Sequence, residues 1–274
     1  MSEESNAIDE TPKQNVYQRI IEVIFFNHLK EGISEFLFDR TELTDAAKSL
    51  SINLPKNLGD MIYSFRYRIP LPQSILSTAP EGSDWVIWPA GKGKYKFVLG
   101  KIGNFMPNPA LVETKIPDAT PGIIARYALN DEQALLAKIR YNRLIDIFTT
   151  LTCYSLQNHL RTTVRRFGQV ETDEIYIGLD KRGAHYVIPV QAKGGKDKIG
   201  IIQIEQDIAM CTEKYPELIC RPVAAQFMND NLIALFEFEI SEGRTGISQE
   251  KHYRLVPQED LTYEELELYR HRHD

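Results

Sequence analysis

The sequence predicts a two-domain protein of the α+β to α/β class: a small helical domain closed by a β-hairpin, then a larger mixed β-sheet flanked by helices. Three observations carry this reading. Helical periodicity, interrupted by one short strand-like run, extends to residue 67 and gives way to a hairpin pattern. Residues 103–125 are rich in proline and glycine, as a connector is. Beyond them a long helical stretch precedes a hairpin, a helix and two further strands. The boundaries drawn are a loose polar tail over 1–14, a first domain over 15–102, a linker over 103–128 and a second domain over 129–274.

The first domain opens with "VYQRIIEVIFFNHL", where Ile20, Ile21, Ile24, Phe25 and Leu29 recur with helical period. "EFLFDR" reads as a short strand. In "DRTELTDAAKSLSI", Asp39 and Glu42 are spaced as a capping box for a helix that buries Leu43, Ala46, Ala47 and Leu50. "KNLGDMIYSFRY" places Leu58, Ile62 and Phe65 on one stripe, and Pro70 and Pro72 end it. "WVIWPAGKGKYKFVLGKI" is strand, Gly/Lys turn, strand.

This order resembles a winged helix-turn-helix. The resemblance implies a third helix that enters the major groove, with Tyr63, Arg66, Tyr67 and Arg68 as groove-side candidates. On the wing it implies phosphate contacts from Lys92, Lys94 and Lys96. The same residue types also suit a solvated helix end and an ordinary turn, and winged helices also bind proteins.

Composition narrows the function classes. With 43% hydrophobic and 26% charged residues the chain reads as soluble and globular, and its apolar runs are too short to span a bilayer. A net charge of −6 argues against a broadly basic nucleic-acid binder but leaves room for local basic patches. Cys153, Cys211 and Cys220 are odd in number and lack metal-ligand spacing, which fits reduced thiols in a prokaryotic cytoplasm.

In the second domain, Leu135, Ile139, Leu144, Ile145, Phe148, Leu151 and Leu156 give 130–166 an apolar helical face. Asn130 reads as its N-cap, Gly168 as its stop, and 149–153 as a place where it could break. "GQVETDEIYIGLD" and "AHYVIPVQAK" are strands joined at "KRG"; "DKIGIIQIEQDIAMCTEKY" is a helix, and "CRPVAAQFM" and "LIALFEFEI" are strands. A strand-like "HYRLV" and a helix from Pro257 follow, with Leu261, Leu266 and Leu268 expected to pack on the core. His159 and His185 have no metal-ligand partner at short spacing and read as structural, while His252, His271 and His273 read as surface or tail residues.

The chemistry concentrates in "VETDEIY" and "VQAKGG". On a strand, Gln191 and Lys193 share a face and Ala192 points away; Glu171 and Asp173 share the other strand's face while Glu174 points with Tyr176. A carboxylate-bearing strand turning back into Gln-x-Lys resembles the PD-(D/E)xK superfamily of restriction-endonuclease-like nucleases, and the glutamine resembles that of the Mrr-like branch. The resemblance implies Mg²⁺, with Mn²⁺ as a substitute, held by Asp173, Gln191 and the backbone carbonyl of Ala192. Glu174 is the rival ligand and Glu171 the third. It implies that Lys193 orients or deprotonates the attacking water and stabilises developing charge. Gly194 and Gly195 would let DNA approach, and Gln203 and Gln206 would line the cleft or lie on the surface.

The expected activity is a site-specific, Mg²⁺-dependent double-stranded DNA endonuclease of the type II restriction class, acting as a homodimer with no membrane partner. Two alternatives stay open. One is an Mrr-like type IV, anti-phage or repair nuclease; the other is a non-catalytic winged-helix regulator.

Overall fold

The structure is a computed structural model that describes residues 12–54, 58–67, 69–101, 104–127, 132–165, 167–194, 197–228, 231–241 and 244–272. The chain divides into two compact units: Met1–Ile102 with Arg165–Gly168, and Gly103–Val164 with Gln169–Asp274.

The first unit runs α1 (Pro12–His28), β1 (Glu35–Asp39), α2 (Arg40–Ser49), α3 (Leu58–Tyr67), α4 (Gln73–Leu76), β2 (Ser83–Gly91) and β3 (Lys94–Lys101). Its three strands form an antiparallel sheet in the order β1-β3-β2. α2 begins where the Asp39 backbone N–H donates to Glu42 Oε1 at 2.8 Å, completing the capping box. The periodic residues of the first three helices then converge. Ile20, Ile21, Ile24, Leu43, Met61 and Ile62 are buried around Phe25, whose ring lies 5.0–5.5 Å from Phe97, Trp85 and Phe36. Such edge and tilted contacts add to the burial of large rings.

The second unit is built on one large mixed sheet. Its elements are β4 (Asn104–Phe105), β5 (Glu113–Pro117), α5 (Gly122–Tyr127), α6 (Glu132–Tyr141), α7 (Leu144–Thr149), β6 (Thr152–Val164), β7 (Gly168–Leu179) and β8 (His185–Lys193). Next come β9 (Ile199–Gly200), α8 (Ile201–Lys214), β10 (Ile219–Cys220), β11 (Val223–Phe227), β12 (Leu232–Ser241), β13 (Arg244–Val256) and α9 (Tyr263–His271). The strand order is β5-β13-β12-β11-β8-β7-β6, with β10 beside β8. β8 lies at the centre, antiparallel to β7 and parallel to β11. Helices cover both faces, so β8 is buried from Val187 to Ala192 as a continuous run. On one face Leu135, Ile139, Ile145 and Phe148 of α6 and α7 pack on Tyr176, Ile188, Val190 and Ala192. On the other, Ile204 of α8 packs on Ala224, Ala234 and Phe236. Among the described residues, no helix is long and apolar enough to cross a membrane.

Several sequence expectations are corrected. The helical stretch expected over 130–166 ends at Thr149, and residues 152–164 form the edge strand β6. Arg143 and Thr150 adopt left-handed φ values of 50° and 57°, which break the helix twice. The β-rich run "TCYSLQNHLRTTV" is then free to extend, leaving Leu156 exposed rather than in a helical core. Gly168, φ 71°, starts β7 instead of ending a helix, and Asn130 falls outside the described residues. The stretch expected as a linker contributes β5, which pairs in parallel with β13. Leu266 and Leu268 are exposed, since α9 docks through polar contacts: Tyr269 Oη accepts from the Lys115 backbone N–H, and Lys115 pairs with Glu265.

Candidate active site

The ladder between β7 and β8 is regular from Leu179↔His185 to Glu174↔Val190 and then stops. Beyond that point side chains replace backbone partners. The Ala192 backbone N–H donates to Asp173 Oδ2 at 2.8 Å, and Gln191 Nε2 donates to the Glu171 carbonyl at 3.2 Å. The pleat also changes phase here. Thr172 bonds α8 through Asp207, whereas Glu174, two residues on, bonds α6 through Arg140. Strict alternation would put both on one face, so Asp173 occupies a bulge-like position that re-aims its carboxylate, a device common beside functional sites.

Asp173, Gln191 and Lys193 meet at this splayed end. The Lys193 side chain is only 12% exposed, and its Nζ lies 3.0 Å from Glu132 Oε1 on the first turn of α6. It therefore does not reach out to solvent from a loose turn. Burial pushes the Asp173 carboxyl above the usual range; the Ala192 N–H and the Lys193 ammonium pull it down, and Glu132 pushes it up. Glu132, Asp173 and Lys193 thus sense one another across the site.

Behind them lies a buried layer. Asp207 of α8 is 1% exposed and accepts from Thr172 Oγ1 at 2.5 Å and from Gln191 Nε2 at 2.9 Å. Burial pushes its carboxyl up to about 7, against the pull of those two bonds and with a further push from Asp173. Gln191 Nε2 makes both bonds, to Asp207 and to the Glu171 carbonyl. Gln206 is buried beside Asp207 in sequence, not surface-lying, and Gln203 is half-buried.

The rival acids are placed elsewhere. Glu174 is fully buried, 3.0 Å from Arg140 Nε, and accepts from Ser155 Oγ at 2.6 Å. It is a structural ion pair on the α6 face. Glu171 accepts from Arg161 at 3.1 Å, with His159 Nδ1 4.0 Å away. His159 lies on β6 with φ 49° and not on a helix; His185 is exposed at the start of β8; His252 is buried, 2.8 Å from Glu250, and not at the surface as its sequence position suggested. All three cysteines are free.

The oxygens that the sequence reading named as metal ligands, those of the Asp173 carboxylate, the Gln191 amide and the Ala192 carbonyl, are all of the hard type, and Glu132 stands beside Lys193. Among the described residues no three His, Cys, Asp or Glu side chains cluster as metal ligands. These oxygens fit a Mg²⁺ ion that keeps several of its waters, and do not suit zinc. Gly194 is described; Gly195 is outside the described residues.

In the first unit, Lys92 and Lys94 at the β2–β3 turn are exposed, while Lys96 Nζ is 2.9 Å from Glu35 and is partly neutralised. Tyr63 is half-buried, as is Arg66, whose Nε and Nη2 are shielded from solvent. The Tyr67 side chain and the whole of Arg68 lie outside what is described.

Glu132, Thr172 and Asp207 escaped the sequence reading. Only Glu132 left a signal, an acid at the start of the helix before the motif strands. Set beside protein-family models, curated proteins and solved structures, the chain finds no match in any of the three.

Proposed function

We propose that the second unit is a metal-dependent nuclease that hydrolyses phosphodiester bonds in double-stranded DNA. The observation that carries the reading is the meeting of Asp173 and Lys193, with Glu132, where β7 and β8 part at the end of a buried strand. An acid of raised pKa and a nearly buried lysine are costly to place together without a task.

Asp173, the Gln191 amide oxygen and the Ala192 carbonyl would hold Mg²⁺, which when bound supplies charge neutralisation at phosphate and a more acidic water. The chain's own residues do the rest. Lys193 Nζ, held 3.0 Å from Glu132, would orient the attacking water and stabilise negative charge on the phosphoryl oxygens. As water oxygen bonds to phosphorus, one P–O ester bond breaks. The water's proton is taken up in the site, and the departing alkoxide gains one.

The first unit, with its helix–strand–helix–helix–hairpin order and exposed Lys92 and Lys94, is proposed as a winged-helix DNA-binding module. Cutting both strands with one site per chain calls for two chains, so a homodimer acting as a type II-like restriction enzyme is the specific form proposed. The neutral Gln191 favours, as a second reading, an Mrr-like nuclease that acts on modified DNA.

Incubating plasmid and phage DNA with Mg²⁺ tests the proposal. Wild type should yield discrete fragments, and Lys193→Ala and Asp173→Ala none. Cleavage confined to modified DNA would select the second reading. A wild type that binds DNA but never cuts it, with Mg²⁺ or Mn²⁺ and with modified or unmodified substrate, would overturn the nuclease and leave a DNA-binding regulator.

A further inference from the structure

We infer that Asp207 is a positioning residue, a buried carboxylate that fixes and polarises the Gln191 amide so that its oxygen serves as a metal ligand. This rests on the nuclease reading and explains how an amide stands in for an acid there.

A glutamine side chain is nearly symmetric in shape, so without fixed partners its oxygen and nitrogen exchange places. Here two bonds select one orientation: Nε2 donates to Asp207 Oδ2 at 2.9 Å and to the Glu171 carbonyl at 3.2 Å. Both partners are acceptors, so the nitrogen is held toward them and the oxygen takes the other arm of the amide, in a side chain that is itself 2% exposed. Asp207 is itself fixed, because Thr172 Oγ1 donates to Oδ1 at 2.5 Å and the side chain is 1% exposed. An amide N–H donating to a carboxylate shifts electron density onto its carbonyl oxygen and makes it a better ligand. Carboxylates behind ligating histidines act in the same way. Strand and helix thus share one task, with Gln191 presenting the oxygen and Asp207 supplying charge from the layer behind.

A purely structural Asp207 would instead serve to join α8 to the sheet. The two roles separate in a metal titration of the full chain without DNA, following Mn²⁺ by electron paramagnetic resonance alongside thermal melts. Asp207→Asn keeps the shape and can bond Thr172, but its amide lets Gln191 reverse. It should weaken Mn²⁺ binding about 10- to 100-fold while melting at or above the wild-type temperature. Thr172→Val, which loosens Asp207 without removing it, should weaken binding less. The double variant Gln191→Glu with Asp207→Asn rebuilds a donor–acceptor pair of opposite sense and should recover affinity to near wild type.

Wild-type affinity in Asp207→Asn, or weak binding in the double variant at native stability, would overturn the positioning role and leave the nuclease reading intact. A wild type that binds no Mn²⁺ would overturn both. Should Asp207→Asn fail to fold, undiminished binding in Thr172→Val together with a failed double variant would overturn the inference.

Discussion

Asp173 and Glu174 are neighbours in sequence yet should respond oppositely to mutation. Glu174 is fully buried and is paired to Arg140, whose side chain is 39% exposed. Arg140→Ala strands a buried carboxylate that keeps its bond from Ser155, with Asn158 and Tyr176 beside it. Breaking a fully buried pair costs about 3–5 kcal/mol. Because Arg140 is partly solvated and Ser155 remains, the expected loss is about 2–3 kcal/mol. For a unit of this size that lowers the melting temperature by about 4–12 °C. Glu174→Gln removes the charge and keeps an oxygen for Ser155, so it should cost less. Both variants should still cut DNA wherever they remain folded. Asp173→Asn should do the reverse. Burial raises the Asp173 carboxyl, so the folded chain holds its proton more tightly than the unfolded chain does, and ionising it with rising pH lowers stability. The asparagine is spared that loss and should melt at or above wild type near neutrality while losing cleavage. Parallel melts and plasmid assays decide the matter. If Glu174→Gln abolishes cleavage at native stability while Asp173→Asn still cuts, the assignment of these two acids is wrong.

Three further outcomes are expected. Gly178→Ala should destabilise by about 1–2 kcal/mol, because the new Cβ would stand 2.8 Å from Ile188 Cδ1 and 3.0 Å from Leu151 Cδ1; a denaturant melt reads the change. At the β7–β8 turn, backbone N–H groups of Ala184 and Arg182 hold the Asp180 carboxyl down at about 2. Its stabilisation is present above the unfolded carboxylate range and is lost as pH falls toward 2, so Asp180→Asn should flatten that part of the acid melt. If the hairpin grips phosphate, Lys92→Ala and Lys94→Ala should each reduce the salt dependence of DNA binding by about one unit of slope. Lys96→Ala, already engaged by Glu35, should change it less.

The legible parts of the sequence were those written in local periodicity. The first three helices, the capping box of Asp39 and Glu42 and the buried run of β8 follow from spacing alone. β6 did not, because Leu151 and Leu156 extend a helical pattern that only the left-handed turns at Arg143 and Thr150 interrupt. Strand β5 was hidden by prolines; it lies at a sheet edge, where the loss of a donor is tolerated. In the site, Gln191 and Lys193 were visible as polar groups ending an apolar strand. Period-two reasoning placed Glu171 and Asp173 on one face, but the change of pleat at Asp173 defeats that rule. Asp207 was invisible because a helix residue 16 positions away meets Gln191 only once β8 and α8 have packed.

The charges gathered there bear on the identity of residue 191. Ionised, Asp173, Glu132 and Asp207 with Lys193 sum to −2, the charge one divalent cation neutralises. A glutamate at 191 would make the sum −3 and set a second carboxylate against the buried Asp207, where two such groups cannot both ionise cheaply. The amide therefore avoids a repulsion that the helix acid would otherwise impose. The remaining imbalance should be relieved by the metal, so Mg²⁺ should stabilise the folded chain. At about 100 times its dissociation constant the gain is about 2.7 kcal/mol, or about 5–11 °C in melting temperature. Asp173→Asn should lose most of that response. An equal Mg²⁺-dependent rise in wild type and Asp173→Asn would show that the cation is held elsewhere and that the splayed strand ends are not its site.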